Sequence, residues 1–304
     1  MKTLPKPKVS NTIANKSFIL QFMIKFVFFG TPELSAEILE YLKSQGLTPS
    51  LVVTNPDRPQ GRKMIITPPP VKVWALREKI PVLQPEDLKE PAFLSALEEA
   101  KASLFVVVAY GKIIPKEILK IPSKGSLNIH YSLLPKYRGA SPIETAILND
   151  DKEVGVSILL LDEKMDHGPI VAEKTVPIET WPPSSSELRA ICNDVAGKLL
   201  AESIPLWIDG KIQAKEQEHL KATYAKKIKK EDGLIDLVSD GYQNFLKIQA
   251  YKIWPQTFFF TNIRNKKTRV IISDAAFVDG KLVIKKVIPE GKKEVDYSIF
   301  KSSI

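Results

Sequence analysis

Five short strand-like runs, largely apolar, recur over the first 163 residues of the chain. They are "IKFVFFG" (24–30), "SLVVTN" (50–55), "ASLFVVVAYG" (102–111), "GSLNIHYSLLP" (125–135) and "VGVSILLLDE" (154–163). Strands apolar on both faces, as in 24–30 and 102–111, must be covered on both sides, and the alternation of such runs with helices predicts a mostly parallel sheet. Parallel neighbours need crossover connections, and the intervening segments read as helices. In "TPELSAEILEYLKSQG" (31–46) Thr31 can cap, Pro32 suits the first turn, Glu33 favours the positive helix end and Gly46 stops the helix. "PPVKVWALREKI", "LKEPAFLSALEEAK", "SPIETAILND" and a long segment over about 184–202 read as further helices, and "GPIVAEKTVPI" as another strand. The class is therefore α/β, with helices on both faces of the sheet.

Ligands of such sheets bind outside the carboxyl ends of the strands. The first turn, "FFGTPE", has one glycine and is not a dinucleotide fingerprint. Beyond about residue 206 the pattern changes. "HLKATYAKKIKKEDGLIDL" is a charged connector and "GYQNFLKIQAYK" a short helix. "TFFFTN", "TRVIISDAAFV" and "KLVIKKVIP" are strands split by "NIRNKK" and "DGK". Short strands with polar turns predict a small, barrel-like second domain of the OB type. The expected organisation is an extension over 1–22, a first domain over 23–205, a linker over 206–225 and a C-terminal domain over 226–304.

Net charge is +9, and it is uneven: residues 206–304 hold 19 Lys and Arg against 12 Asp and Glu. This points to a polyanionic partner, nucleic acid first, or equally to a solvated basic face. No apolar run approaches the roughly 18 residues of a spanning helix. Cys192, the one cysteine, lies in a helical run, which predicts a packed thiol and a reducing compartment. Residues 1–22 carry lysines, no acid and no arginine. They read as a disordered extension upstream of Met23 more readily than as a transit peptide, although organellar import stays open.

The chemistry concentrates in "LNIHYSLLPKYRGASP" (127–142). Residues two apart on a strand face the same side, so Asn128 and His130 can share one crevice. "LDEKMDHGPI" supplies Asp166 from the loop after a later strand. An amide donor, an imidazole and a carboxylate suit acyl-type transfer to an amine: the first two stabilise an oxyanion, and the third orients the imidazole and moves a proton. No serine or cysteine nucleophile stands beside them, which favours direct attack by the substrate amine. Taken singly, each has a plain structural reading, and spacing alone does not bring Asp166 to His130. His130, His167 and His219 lack metal-ligand spacing, and no metal is expected.

From Met23 to about Tyr297 the chain resembles the methionyl-tRNA formyltransferases. The matching stretches are "FVFFGTPE", "NPDRPQGRKMIITPPPVK", "QPEDL", "VVVAYGKIIPKEIL", "LNIHYSLLPKYRGASPI", "GVSILLLDEKMDHGPI" and "YAKKIKKEDGLIDL". The resemblance implies a Rossmann-like first domain and a catalytic trio of Asn128, His130 and Asp166. It implies that Ser132, Leu133, Leu134 and Pro135 bind the folate, and that the backbone of 161–166 lines the pterin pocket. The reaction implied is transfer of formyl from 10-formyltetrahydrofolate to the α-amino group of methionine on initiator tRNA. The chain departs from the family pattern at Tyr131, where glycine is usual, and at His167, where a small or polar residue is.

The segment 55–72 has a physical reading as well. Two prolines and a glycine within "PDRPQGR" imply a structured but unpaired loop. Arg58, Arg62 and Lys63 on it suit phosphate contacts, and in the resembling family this loop meets the tRNA acceptor end. The expected protein is a cytoplasmic, monomeric enzyme of translation initiation with no membrane partner. Its rivals are a formyltransferase for a small amine, such as an amino-sugar nucleotide or glycinamide ribonucleotide, and a non-catalytic RNA-binding homologue.

Overall fold

The computed structural model describes residues 24–61 and 63–303. The expected N-terminal extension, Met23 and Arg62 lie outside the described residues. Along the chain run β1 (Phe26–Gly30), α1 (Glu33–Ser44), β2 (Leu51–Val53), β3 (Arg58–Gln60), β4 (Ile65–Thr67), α2 (Pro70–Arg77), β5 (Val82–Leu83), α3 (Pro91–Glu99), β6 (Leu104–Val108) and α4 (Lys116–Leu119). Then come β7 (Ser126–His130), β8 (Arg138–Gly139), α5 (Pro142–Leu148), β9 (Gly155–Leu160), β10 (Ile170–Thr175), α6 (Ser185–Ile208) and β11 (Tyr224–Ala225). The chain ends with α7 (Gly241–Ala250), β12 (Phe258–Ile263), β13 (Lys266–Val278), β14 (Lys281–Pro289), β15 (Val295–Asp296) and α8 (Tyr297–Ser302).

A seven-stranded sheet has the order β10-β9-β7-β6-β1-β2-β5. The pairs β1–β2, β1–β6, β2–β5 and β6–β7 are parallel. Two compact units interleave along the sequence. Among the described residues, one comprises 24–61, 63–129, Ile158–Glu163 and Ala196–Lys215; the other comprises His130–Ser157, Lys164–Val195 and 216–303.

In the first unit the chain steps outward from β1 through β2 to β5, then returns to the other side of β1 as β6. That reversal makes a switch point at the carboxyl ends of β1 and β6. The side chains of Phe26, Val27, Phe28 and Phe29 are fully buried, each worth about 1.5–3 kcal/mol over exposure. One core face joins Val27, Phe29, Phe105 and Val107 to Phe93, Leu97 and Ile118. The single glycine of "FFGTPE" serves packing. A Cβ at Gly30 would meet Ser35 Cβ at 2.9 Å and the Val108 carbonyl at 3.0 Å, and Ser35 Oγ donates to that carbonyl over 2.7 Å.

Also in this unit, the segment expected to be unpaired is a β-hairpin. Arg58, Pro59 and Gln60 of β3 pair antiparallel with Thr67, Ile66 and Ile65 of β4. Both strands are edges, so Pro59 removes no bond an inner strand would need. Gly61 (φ +68°) and Met64 (φ +51°) turn the chain. Asp57 anchors its root: Lys72 Nζ lies 2.8 Å from both carboxylate oxygens, and Gln84 donates to one of them. These bonds hold the Asp57 carboxyl below its ordinary range, the Lys72 bond foremost.

In the second unit β12-β13-β14-β15 form a four-stranded antiparallel sheet. Its hairpins turn at Arg264–Asn265 and Asp279–Gly280, all with positive φ, the backbone that two-residue turns between twisted strands require. Ile248 of α7 and Phe300 of α8 join Phe259, Val270, Ile272 and Val287 in its core. The expected charged connector carries structure: two 3₁₀ turns, His219–Lys221 and Lys230–Gly233, and β11, which pairs with β8. Among the described residues no helix is long and apolar enough to cross a membrane.

Candidate active site

Strand β7 ends at His130 and carries Asn128 two residues earlier, in register with Val107 of β6. Asn128 is half-buried and His130 is 5% exposed. The next turn brings Tyr137 back, and His130 Nε2 lies 2.9 Å from its carbonyl oxygen. A carbonyl only accepts, so Nε2 carries a proton and donates it. His130 Nδ1 faces Asp166 Oδ2 at 3.6 Å, too long for a hydrogen bond. An atom between them can sit about 3 Å from both, the reach of a proton-transfer pair.

Asp166 reaches this position from the loop between β9 and β10 in left-handed backbone (φ +50°). Oδ2 accepts the backbone N–H of Gly139 at 2.7 Å. Gly139 belongs to β8, held to β11 by Arg138 N–H to Thr223 O (2.9 Å) and Ala140 N–H to Ala225 O (3.1 Å). Only glycine fits there: at φ +117°, a Cβ would press into the Ala225 carbonyl oxygen, far inside van der Waals distance.

Behind Asp166 lies a polar cluster. Gln217 Nε2 donates to the carbonyls of Asp166 (2.9 Å) and Gly168 (2.6 Å), and Gln217 Oε1 accepts from Arg138 Nη2 (2.6 Å) and Nε (3.1 Å). Arg138 Nη2 also meets His219 Nδ1 at 2.9 Å. A guanidinium only donates, so that nitrogen accepts. The His219 ring stacks on His167, centroids 4.1 Å apart and planes 4° off parallel. His167, one of the two departures from the family pattern, therefore belongs to this stack. At the other departure, Tyr131, the hydroxyl donates to Asn193 Oδ1 at 2.8 Å.

The expected folate segment follows β7 directly. Ser132 and Leu134 are buried. Ser132 Oγ donates to Lys136 O (2.5 Å), while Ser157 Oγ donates to Ser132 O (2.8 Å) and accepts Leu134 N–H (3.1 Å). Leu133, Leu134 and Pro135 wall an open groove of about 890 Å³ with Lys136, Glu173 and Thr223. Arg58 lies on β3, paired with Glu86 at 2.6 Å, and Lys63 is exposed in the turn. In α6, burial pushes the Cys192 thiol up to about 12, leaving an inert, packed side chain. Among the described residues no group of three or more His, Cys, Asp or Glu is arranged to hold a metal.

Sequence reasoning singles out Asn128, His130 and Asp166 but misses the Tyr137 carbonyl, the Gly139 N–H and Gln217. The first two act through backbone, which no side-chain pattern marks. Gln217 is isolated among charged residues and gives no local signal.

Residues 24–204 match the family described as formyl transferase. The methionyl-tRNA formyltransferase of Halalkalibacterium halodurans is 41% identical over 79% of this chain and 75% of its own. That of Listeria welshimeri is 36% identical over 92% of this chain and 96% of its own. Among solved structures, the N-formyltransferase of Helicobacter canadensis, in complex with folinic acid and dTDP-3-aminofucose, superposes with a TM-score of 0.60 at 19% identity, over 86% of this chain and 99% of that one. HypX from Aquifex aeolicus, in complex with tetrahydrofolic acid, gives 0.63 at 16% identity, over 91% of this chain and 46% of that one. These two share the fold.

Proposed function

The chain belongs to the formyl transferase family, and from that premise we propose that it transfers the formyl group of 10-formyltetrahydrofolate to the α-amino group of methionine on initiator tRNA. The methionyl-tRNA formyltransferase of Listeria welshimeri, which supports this acceptor, aligns over 92% of this chain. The observation that carries the chemistry is the His130–Asp166 pair, 3.6 Å apart and nearly excluded from water.

In this reading the acceptor amine attacks the formyl carbon directly. A C–N bond forms and the carbonyl becomes an oxyanion, which the Asn128 carboxamide and a protonated His130 Nδ1 stabilise by donation. Asp166 takes a proton from the attacking nitrogen. When the tetrahedral centre collapses, the bond to the folate nitrogen breaks, the proton held by Asp166 passes to that nitrogen, and tetrahydrofolate leaves. Ser132–Pro135 hold the folate. Nδ1 has this role because the Nε2 proton is committed to Tyr137.

The tRNA reading rests on two surfaces. The β3–β4 hairpin presents Met64, Ile65 and Ile66, each more than 60% exposed, beside Arg58 and Lys63. Apolar side chains gathered at an exposed tip mark an interaction site more often than a solvated loop, and the cations, Arg62 included, suit phosphate. The C-terminal residues carry most of the excess positive charge. Residues 23–205 then form the catalytic domain and 226–304 the tRNA-binding one, in a monomeric, cytoplasmic enzyme. The test is formylation of charged initiator tRNA beside charged elongator tRNA and a small amino-sugar nucleotide. Preference for the initiator is expected; formylation of the small amine with initiator tRNA ignored removes this reading.

A further inference from the structure

We propose that Gln217 is a positioning residue for Asp166, a role that rests on Asp166 acting as the catalytic carboxylate. Gln217 is 5% exposed, and its carboxamide is fully hydrogen-bonded. Its two N–H groups go to the carbonyls of Asp166 and Gly168, and its oxygen receives two N–H groups of Arg138. Only one orientation of the carboxamide satisfies this pattern, because both backbone partners are acceptors and both guanidinium partners are donors.

The two bonds bracket residues 166–168, whose first member is held in left-handed backbone. Such backbone persists only where its surroundings fix it. Gly139 N–H secures the Asp166 carboxylate from one side, and Gln217 secures its main chain from the other. Together they fix the Asp166 side of the 3.6 Å separation from His130, whose own ring is held by the Tyr137 carbonyl. Arg138, 3% exposed, is met by Gln217 and His219 instead of a carboxylate among the described residues. Arg138 and Gly139 are adjacent in β8, so one short strand orients both the clamp and the clamped carboxylate.

This arrangement separates two roles of Gln217. Gln217→Glu keeps an acceptor for Arg138 and improves it to a charge-paired one, but it has no N–H for the carbonyls of Asp166 and Gly168. If Gln217 served only to satisfy a buried guanidinium, that variant would be as active as the parent. If it positions Asp166, turnover falls although the fold is kept.

The experiment measures kcat and both Michaelis constants for formylation by the full chain, with thermal unfolding alongside, for Gln217→Glu, Gln217→Met and Asp166→Asn. A misplacement of this kind lowers rate by about tenfold to hundredfold. The expected result is a kcat loss of that size in both Gln217 variants, with Michaelis constants for tRNA and folate within about threefold. A kcat within about twofold of the parent in Gln217→Glu overturns the proposal. Gln217→Met is judged by the same threshold if the glutamate variant does not fold. Undiminished turnover in Asp166→Asn overturns the catalytic reading first, and the positioning role with it.

Discussion

His130 and Asp166 face each other without a hydrogen bond, 3.6 Å apart, and each is held by a backbone group from one three-residue segment. The Tyr137 carbonyl takes the proton of His130 Nε2, and the Gly139 N–H is donated to Asp166. The relation of acid to imidazole is therefore set by residues 137–139 more than by any direct bond. Tyr137 and Asp166 are both in left-handed backbone, φ +58° and +50°, which costs about 1–2 kcal/mol for a residue with a Cβ.

Removing either member of the pair should abolish most catalysis and little stability. His130→Ala and Asp166→Asn are expected to lower kcat by about 10²–10³-fold, with circular dichroism unchanged. Near-parental rates in His130→Ala would rule out the proposed mechanism.

Gly139→Ala tests the segment that holds them. The added methyl runs into the Ala225 carbonyl, in backbone that disfavours any side chain. A loss of at least about 2 kcal/mol is expected, read from denaturant midpoints, together with reduced turnover from the disturbed bond to Asp166. A variant as stable as the parent would mean that β8 and β11 separate freely.

For the hairpin, Arg58→Ala and Lys63→Ala should raise the Michaelis constant for tRNA several-fold and leave that for folate unchanged. Arg58 and Glu86 are both more than 60% exposed, so the stability change in Arg58→Ala should stay below about 1 kcal/mol. Neutralising Lys285, Lys292 and Lys293 together should flatten the logarithmic salt dependence of tRNA binding, by about 0.9 for each phosphate that no longer meets a cation. An unaltered slope would exclude these lysines from the interface.

Asp151 predicts a pH dependence of stability. Burial pushes its carboxyl upward, but the Tyr137 hydroxyl, the Lys136 ammonium and the Glu153 N–H outweigh that and hold it below 3.8. A group whose folded value is depressed stabilises the fold above its unfolded value and loses that contribution as pH falls through the folded one. Asp151→Asn should therefore be less stable by about 1 kcal/mol at pH 7, and the difference should close below pH 3.8. A gap that persists into acid would assign the effect to packing.

Much of the fold is legible in the sequence because its signals are local. The apolar runs correspond to β1, β2, β6, β7 and β9, each trimmed at its ends, and "FVFFG" is buried at every residue. The hairpin at 58–67 reads as a loop because Pro59 and Gly61 suggest one; a two-stranded ribbon, being all edge, tolerates both. Strand β11 is hidden in a charged connector because two residues of "KATYAKK" pair through backbone alone. At the site, Asn128 and His130 are visible from period-two spacing. Their relation to Asp166 is not, since it depends on Gly139 and Tyr137 main-chain atoms.

The pairing of β11 with β8 has a consequence for how the molecule can be dissected. Thr223 and Ala225 close bonds around Arg138 and Gly139, so a truncation upstream of 223 would strip the brace from Asp166's donor along with everything downstream. The C-terminal portion cannot be traded between homologues as a detachable cassette unless this two-residue seam travels with it or is rebuilt.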